Sequence, residues 1–145
     1  ILGDGPDRQR LEELARQENA PVEFLGYQDH GSMAAWLRAS DITVNSLVKS
    51  AVQSIVTKIG DYLASGKPMI NTGSSPEFRN KVTTDGFGLN VEAENPEALA
   101  DALEELARTP SLRKIMGARG RAVAEREFDQ RTSYLAIVNL LRNLI

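Results

Sequence analysis

The sequence contains no cysteine and only one histidine, His30. Without cysteine the chain forms neither a disulfide nor a thiolate metal site, and one histidine cannot build a multi-histidine metal site. No apolar run approaches the roughly 18 residues needed to span a bilayer, and the first residues lack the pattern of a signal peptide. We therefore expect a cytoplasmic protein without a metal centre.

Basic residues are not in excess either. Lysine and arginine number 17 against 20 aspartates and glutamates, which gives a net charge of -3 at pH 7. Binding to nucleic acid depends on a basic stripe that releases counterions from the phosphates, so no nucleic-acid partner is expected. The 145 residues, 41% of them hydrophobic, suffice for one domain with its own core.

Short β-prone segments alternate with longer segments of helical periodicity. After Asn95 only helical patterns remain, and Trp36 is expected in the core. Ser75 and Asn95 each precede a Pro-Glu pair, which predicts a capped helix start. The alternation predicts an α/β fold: a Rossmann-like parallel sheet with helices on both faces and a helical C-terminal tail. The predicted strands are 1–3, 22–25, 42–45, 68–71 and 88–91.

The opening Ile1-Leu2 reads as the end of a strand. We therefore expect residues 1–145 to be a single, N-terminally truncated domain of a longer protein. A strand missing from the sheet would leave an exposed edge, and an exposed edge favours pairing between copies. An edge-strand dimer is the expected consequence.

Four loops follow the predicted strands, at the edge where open α/β sheets bind ligands. They are 3–6, 26–29, 46–54 and 72–75. The third leads into a helix with a polar stripe that includes Lys58 and Asp61, an arrangement suited to a phosphate and a ribose. The same stripe is equally explained as a solvated helix face. Neither the G-x-G-x-x-G spacing nor a P-loop lysine is present.

Several segments, in this order and at these intervals, resemble the family 4 glycosyltransferases. The resemblance implies the C-terminal, donor-binding half of the two-domain GT-B architecture. It also implies retaining, metal-independent sugar transfer from a nucleotide sugar, with uracil or guanine as the base, and no cofactor. The segments are Ile1-Leu2-Gly3-Asp4-Gly5-Pro6, Val22-Glu23-Phe24-Leu25-Gly26, Ala39-Ser40-Asp41-Ile42, Asp61-Tyr62-Leu63-Ala64-Ser65-Gly66-Lys67-Pro68, Gly86-Phe87-Gly88-Leu89 and 110–128.

The resemblance also assigns roles to residues. It implies ribose binding by Asp61, contact with the base at Gly26, Tyr27 and Gln28, and contact with the diphosphate and sugar around 50–54. Gln53 stands where the family often has a glutamate, so a neutral amide replaces a charge. No catalytic residue is assigned. The expected donor-binding set is Gly26, Tyr27, Gln28, Ser50, Gln53, Ser54, Lys58 and Asp61.

The stretch 57–62 is similar to bacterial enzymes that build surface polysaccharides. For the parent protein this implies an N-terminal acceptor domain and peripheral association with the inner membrane face. The chain alone is expected to bind donor weakly and to transfer nothing. Two alternatives stay open: a nucleotide-sugar 2-epimerase of GT-B fold, and a non-catalytic flavodoxin-like module that binds a nucleotide or a protein.

Overall fold

The computed structural model describes residues 1–51 and 57–142. The chain divides into two compact units, Ile1–Trp36 and Leu37–Ile145. Two of the expected donor-binding residues, Gln53 and Ser54, lie outside the described residues. The prediction of one truncated domain over residues 1–145 stays a prediction.

The first unit contains helix α1 (Arg8–Gln17), and α2 (His30–Ala39) begins in it. The two strands predicted here, 1–3 and 22–25, are wrong as regular strands. The segments do pair, because Leu25 N–H donates to Ile1 O at 2.9 Å. Gly3 N–H then donates to Gly26 O at 2.7 Å, one residue beyond the regular parallel partner. The ladder is lost there because Gly26, at φ +69°, has already turned the chain.

The second unit is built on a three-stranded parallel sheet, which confirms the predicted α/β fold. Its strands are β1 (Thr43–Asn45), β2 (Met69–Asn71) and β3 (Gly88–Asn90), in that spatial order. The predicted strands extended one residue further at one end of each. The register aligns Asn45 with Asn71 and Asn71 with Asn90, so all three strands end at the same level.

Helices cover both faces of this sheet. Successive strand residues point to opposite faces, so Met69 and Ile70, each fully buried, belong to different core clusters. Met69 packs with Leu63 and Phe87, whereas Ile70 packs with Leu106. The helices are α3 (Ile59–Ala64), α4 (Pro76–Asp85), α5 (Pro96–Arg108), α6 (Pro110–Glu127) and α7 (Gln130–Arg142).

Local capping chemistry sets several of these helix ends. Ser75 Oγ accepts a hydrogen bond from Phe78 N–H at 3.4 Å, and Asn95 Oδ1 accepts one from Ala98 N–H at 3.0 Å. Both predicted helix starts, each with proline in the first turn, are confirmed. Gly66 follows α3 at φ +70°, a backbone conformation that glycine adopts without strain.

One sequence expectation about the core is wrong. Trp36 is 45% exposed, and no residue of α2 is buried. The indole is large enough that one face packs while the other stays in solvent. Within the described residues, no helix is both long and apolar enough to cross a membrane.

Candidate functional site

The carboxyl edge of the three-stranded sheet carries an unusual row of amides. Each strand ends in an asparagine, and the side chains of Asn45 and Asn71 are almost completely buried. Asn45 Nδ2 donates to Asn71 Oδ1 at 2.8 Å, and Asn71 Nδ2 donates to Asn90 Oδ1 at 3.0 Å. We call Asn45, Asn71 and Asn90 the asparagine ladder.

Backbone groups fix the direction of the asparagine ladder. Asn90 Nδ2 donates to Arg79 O at 2.8 Å, and a carbonyl oxygen can only accept. Gly73 N–H donates to Asn71 Oδ1 at 3.1 Å, and an N–H group can only donate. Flipping either amide would therefore place like groups against each other. Every rung donates in the same direction along the sheet, from β1 towards β3.

A threonine and a serine join the two loops that follow β1 and β2. The Thr72 hydroxyl accepts from Leu47 N–H at 2.7 Å and donates to Leu47 O at 2.8 Å. The Ser74 hydroxyl donates to Ala51 O at 3.2 Å. These hydrogen bonds join residues 46–51, which include Ser50, to residues 72–75, and we call the two loops together the loop pair.

Helix α3 presents Lys58 and Asp61 beside a buried apolar side. Ile59 and Leu63 are fully buried in the core, while Asp61 lies in the first turn of the helix. The Lys58 ammonium sits 5.7 Å from the centre of the Tyr62 ring, and burial lowers the Lys58 pKa. Burial, followed by the nearby Asp61 carboxylate, raises the Tyr62 pKa. A negative charge brought close to Lys58 would relieve the cost of burying that ammonium.

In the first unit, Asp4 organises the loop at 26–28. Its Oδ2 accepts from Tyr27 N–H at 2.7 Å, and its Oδ1 pairs with the Arg8 guanidinium. These bonds, that of Arg8 first, lower the pKa of the Asp4 carboxyl. A Cβ on Gly26 would lie 2.9 Å from Arg8 Nη1, so only glycine fits there without displacement.

The same loop exposes an aromatic ring. Tyr27 is 80% exposed, and Gln28 Nε2 donates to Leu25 O at 2.7 Å. An exposed aromatic face beside backbone groups is suited to stacking against a planar base. The three residues expected at the base therefore do lie together on one ordered turn.

The sequence interpretation placed Asp4 and Thr72 in candidate ligand loops, 3–6 and 72–75, but gave neither a role, and it did not identify the asparagine ladder. A signal for the ladder was present, since the same amide stands at or next to the end of each of three short predicted strands. Asn is disfavoured within strands, so its repetition at one position could have drawn notice. The other expected residues fall on different units: Gly26, Tyr27 and Gln28 on the first, and Ser50, Lys58 and Asp61 on the second.

The clefts of the described chain do not coincide with the expected residues. One, of about 460 Å³, lies in the first unit beside the end of α1, lined in part by Arg16 and Phe24. Another, of about 470 Å³, lies in the second unit near the amino ends of β1 and β2, between Lys67 and α6. Within the described ranges, no three histidine, cysteine or acidic residues stand close enough together to hold a metal ion.

Comparison with known families identifies the class of protein. Residues 1–109 match the model of the family described as Glycosyl transferases group 1. That match covers well over half of the 145 residues. The chain therefore belongs to the group 1 glycosyl transferase family, which confirms the resemblance found in its sequence.

Two curated relatives are 30% identical to the chain. One is a GDP-mannose-dependent monoacylated alpha-(1-6)-phosphatidylinositol monomannoside mannosyltransferase of Corynebacterium glutamicum, aligned over 99% of this chain and 38% of its own length. The other is the lipopolysaccharide core biosynthesis glycosyltransferase LpsE of Rhizobium meliloti, aligned over 97% of this chain and 40% of its own length. The chain thus spans about two-fifths of the relatives it matches.

Solved structures show the same fold. Sucrose-phosphate synthase of Thermosynechococcus elongatus superposes with a TM-score of 0.81 at 25% identity, over 99% of this chain and 38% of its own. HepE of Anabaena, in complex with UDP, superposes with a TM-score of 0.80 at 19% identity, over 98% of this chain and 40% of its own. The C-terminal domain of the group 1 protein LpcC of Francisella tularensis superposes with a TM-score of 0.68 at 21% identity, over 85% of this chain and 63% of its own. The predicted fold, a GT-B C-terminal half, is confirmed.

Proposed function

We propose that the chain is the donor-binding half of a bacterial glycosyltransferase that uses a UDP- or GDP-sugar. Family membership supports sugar transfer as the reaction. A relative named for GDP-mannose and a neighbour solved with UDP and with UDP-glucose support these two nucleotides. We further propose that transfer retains the anomeric configuration, requires no metal ion or cofactor, and serves polysaccharide or glycolipid synthesis.

The observation that carries this proposal is the loop pair at the carboxyl edge of the sheet. Parallel α/β sheets bind ligands at this edge, where loops run towards helix N-termini. Here internal hydrogen bonds hold two loops in place: Leu47 N–H donates to the Thr72 hydroxyl, and the Ser74 hydroxyl donates to Ala51 O. Fixed neutral dipoles stabilise the charge of a diphosphate without the cost of reorganising during the reaction.

Each expected residue has a role in the proposed complex. Gly26, Tyr27 and Gln28 contact the base, and Asp61 accepts hydrogen bonds from the ribose hydroxyls. Lys58 supplies one positive charge to the diphosphate. Because its ammonium is partly buried, a nearby anion offsets the cost of burying that charge. Ser50, Gln53 and Ser54 contact the diphosphate and the donor sugar.

A partner domain completes the proposed enzyme. We propose that an N-terminal domain holds the acceptor, so that the 145 residues alone bind donor weakly and transfer no sugar. The parent protein acts in the cytoplasm, in peripheral contact with an acceptor at the inner membrane face. We also propose that copies of the chain associate through an exposed strand edge, which sedimentation of the purified chain would reveal.

A titration of the isotope-labelled chain tests donor binding. UDP, GDP and ADP are added to millimolar concentration while backbone amide shifts are followed. We expect saturable shifts at 26–28, at 50–54 and at Asp61 for UDP or GDP. Equal shifts with all three, or shifts scattered over the surface, would contradict the proposal.

A matched pair of variants tests the ribose contact. Asp61→Asn removes the proposed hydroxyl acceptor's charge, and Asp101→Asn makes the same change on exposed α5. We expect the first to weaken nucleotide binding about tenfold, the value of one charged hydrogen bond, and the second to change it less than twofold. Equal effects would remove Asp61 from the site.

Incubating the parent protein with donor alone distinguishes transfer from 2-epimerisation. Epimerisation requires no acceptor, whereas transfer does. The transferase proposal predicts that the donor sugar stays unchanged until an acceptor is added. A change at C2 of the sugar without acceptor would establish the epimerase instead.

A further inference from the structure

The asparagine ladder ends in a buried oxygen that nothing in the described chain satisfies. Asn45 is 1% exposed, and its Oδ1 has no hydrogen-bond donor among the described residues. A buried carbonyl without a donor destabilises the folded chain, so a native structure retains it only for a compensating reason. Valine or isoleucine at this position would fill the strand end without that cost.

The reason lies at the next rung of the ladder. Asn71 uses all four of its hydrogen-bonding positions: Oδ1 accepts from Asn45 and from Gly73 N–H, and Nδ2 donates to Asn90 and, at 3.4 Å, to Gly73 O. Both backbone groups of Gly73 thus bond to one side chain, and Gly73 O also accepts from Arg79 Nη1 at 3.4 Å. A Cβ on Gly73 would stand only 3.0 Å from Asn71 Oδ1, so any residue other than glycine would crowd the Asn71 side chain.

Holding Gly73 in this way determines which end of the ladder stays open. Gly73 N–H requires the oxygen of Asn71 on its side, and that oxygen in turn requires the amide nitrogen of Asn45. The Asn45 oxygen is then left facing no donor. The unsatisfied oxygen of Asn45 is therefore a consequence of fixing the loop at 73–75. Proteins accept a local cost of this kind at functional sites, and this one lies at the edge where the sheet would bind its ligand.

We propose that the asparagine ladder positions the loop pair for the donor, and that Asn71 is its central positioning residue. The inference rests on the proposed donor site and assigns the ladder to it. Asn71 acts through Gly73 and Thr72: the first is held by its side chain, and the second, its neighbour, is bonded to Leu47 in the other loop. Asn90 anchors the far end on α4 through Arg79 O.

Two substitutions of Asn71 and one control separate positioning from mere stability. Asn71→Leu removes every rung contact at similar volume. Asn71→Asp keeps the acceptor for Gly73 N–H but replaces the donor to Asn90 Oδ1 and Gly73 O with a second oxygen, which repels both in this buried site. Leu106→Ala opens a cavity in the other core cluster, destabilising the chain without touching the ladder.

Binding of UDP-glucose, GDP-mannose and the free diphosphates UDP and GDP is measured well below the melting temperature of each variant. We expect Asn71→Leu to weaken binding of the wild type's preferred nucleotide sugar at least tenfold and Asn71→Asp to weaken it as well. Leu106→Ala should change it less than twofold. Amide hydrogen exchange at Leu47 and Gly73 should accelerate in the Asn71 variants and not in Leu106→Ala.

Different results overturn different statements. Wild-type affinity in Asn71→Leu, or equal losses of affinity in Asn71→Leu and Leu106→Ala, would overturn the positioning role of the asparagine ladder. The proposed donor site would still stand. A wild-type chain that binds none of the four ligands would overturn the proposed function, and the ladder's assignment with it. Should Asn71→Leu not fold, the comparison of Asn71→Asp with Leu106→Ala decides in the same way.

Discussion

The two edges of the sheet in the second unit are both polar, but they satisfy their polar groups differently. At the carboxyl edge, uncharged amides and hydroxyls bond to one another and to loop backbone, and a single guanidinium, that of Arg79, bonds to Gly73 O and Val91 O. At the amino edge, arginines of α6 bond to carbonyls at helix ends: Arg113 to Leu106 O at 2.6 Å and Arg121 to Ala64 O at 2.8 Å. Cations at helix C-termini neutralise orphan carbonyls and the helix dipole.

The comparison shows why a cleft and a basic cluster do not by themselves mark the site. The cleft at the amino edge is lined by Lys67, Arg113 and Arg121, yet both guanidinium groups already serve the ends of α3 and α5. The carboxyl edge has one such arginine, Arg79, but its loops are held mainly by neutral side chains that bond to loop backbone. The predictions below test this difference, starting with the largest effect.

Asn71→Leu should destabilise the chain most, by about 3 kcal/mol, because it leaves Gly73 N–H and the amides of two neighbours without partners. Asn45→Leu should cost only about 1 kcal/mol, since it also removes the unsatisfied oxygen. Urea unfolding at pH 7 measures both. Equal losses of unfolding free energy in the two variants would mean that Asn71 is not the central residue of the asparagine ladder.

Gly117→Ala should destabilise the amino edge by about 2 kcal/mol through overpacking, despite the better helix propensity of alanine. The added Cβ would stand 2.0 Å from Gly66 O, a backbone atom that cannot move aside cheaply. Gly120→Ala is the control, since its Cβ would meet side-chain atoms of Leu63 and Phe87 at 3.3 and 3.4 Å. Thermal unfolding should place Gly117→Ala clearly below Gly120→Ala.

Arg113→Met should lower stability by about 1 kcal/mol, because the end of α5 loses a cation that bonds to two of its carbonyls. Donor binding should not change. Arg121→Met, at a more exposed site with one such bond, should have a smaller effect. A marked loss of nucleotide affinity in Arg113→Met would mean that the amino edge does contribute to the ligand site.

Sequence patterns predicted the second unit well, because its signals are local. Strand starts and the Ser75 and Asn95 caps each depend on a few neighbouring residues, and each lies within a residue of its predicted place. The family, too, could be identified from ordered short segments. Such features can be predicted from sequence because propensity, capping and burial all favour the same local structure.

The rest of the molecule depends on register, which a single sequence does not reveal. The asparagine ladder exists only because three strands end level, so that amides 26 and 19 positions apart meet. The loss of regular pairing at 1–3 depends on a one-residue slip at Gly26. Trp36 was expected in the core because helical spacing shows which residues share a face, not how much of that face is covered.

The smallest effect concerns Lys58, between the two edges on α3. Burial lowers its pKa, so above the lowered value the folded chain has released a proton that the unfolded chain still holds. Stability should therefore rise with pH from the lowered folded pKa up to the ordinary lysine value near 10.5. Urea midpoints of the wild type and of Lys58→Met, compared at pH 7 and pH 9.5, isolate this contribution.

A bound diphosphate should reverse that trend. The anion stabilises the Lys58 ammonium and raises its pKa, so saturating UDP or GDP should move the carbon-detected titration of the Lys58 side chain towards higher pH. The backbone amide of Lys67, at the amino edge, provides the control, and its chemical shift should not change when the nucleotide is added. A nucleotide-induced change at the Lys67 amide, with no change in the titration of Lys58, would place the nucleotide at the amino edge and overturn the contrast drawn between the two edges.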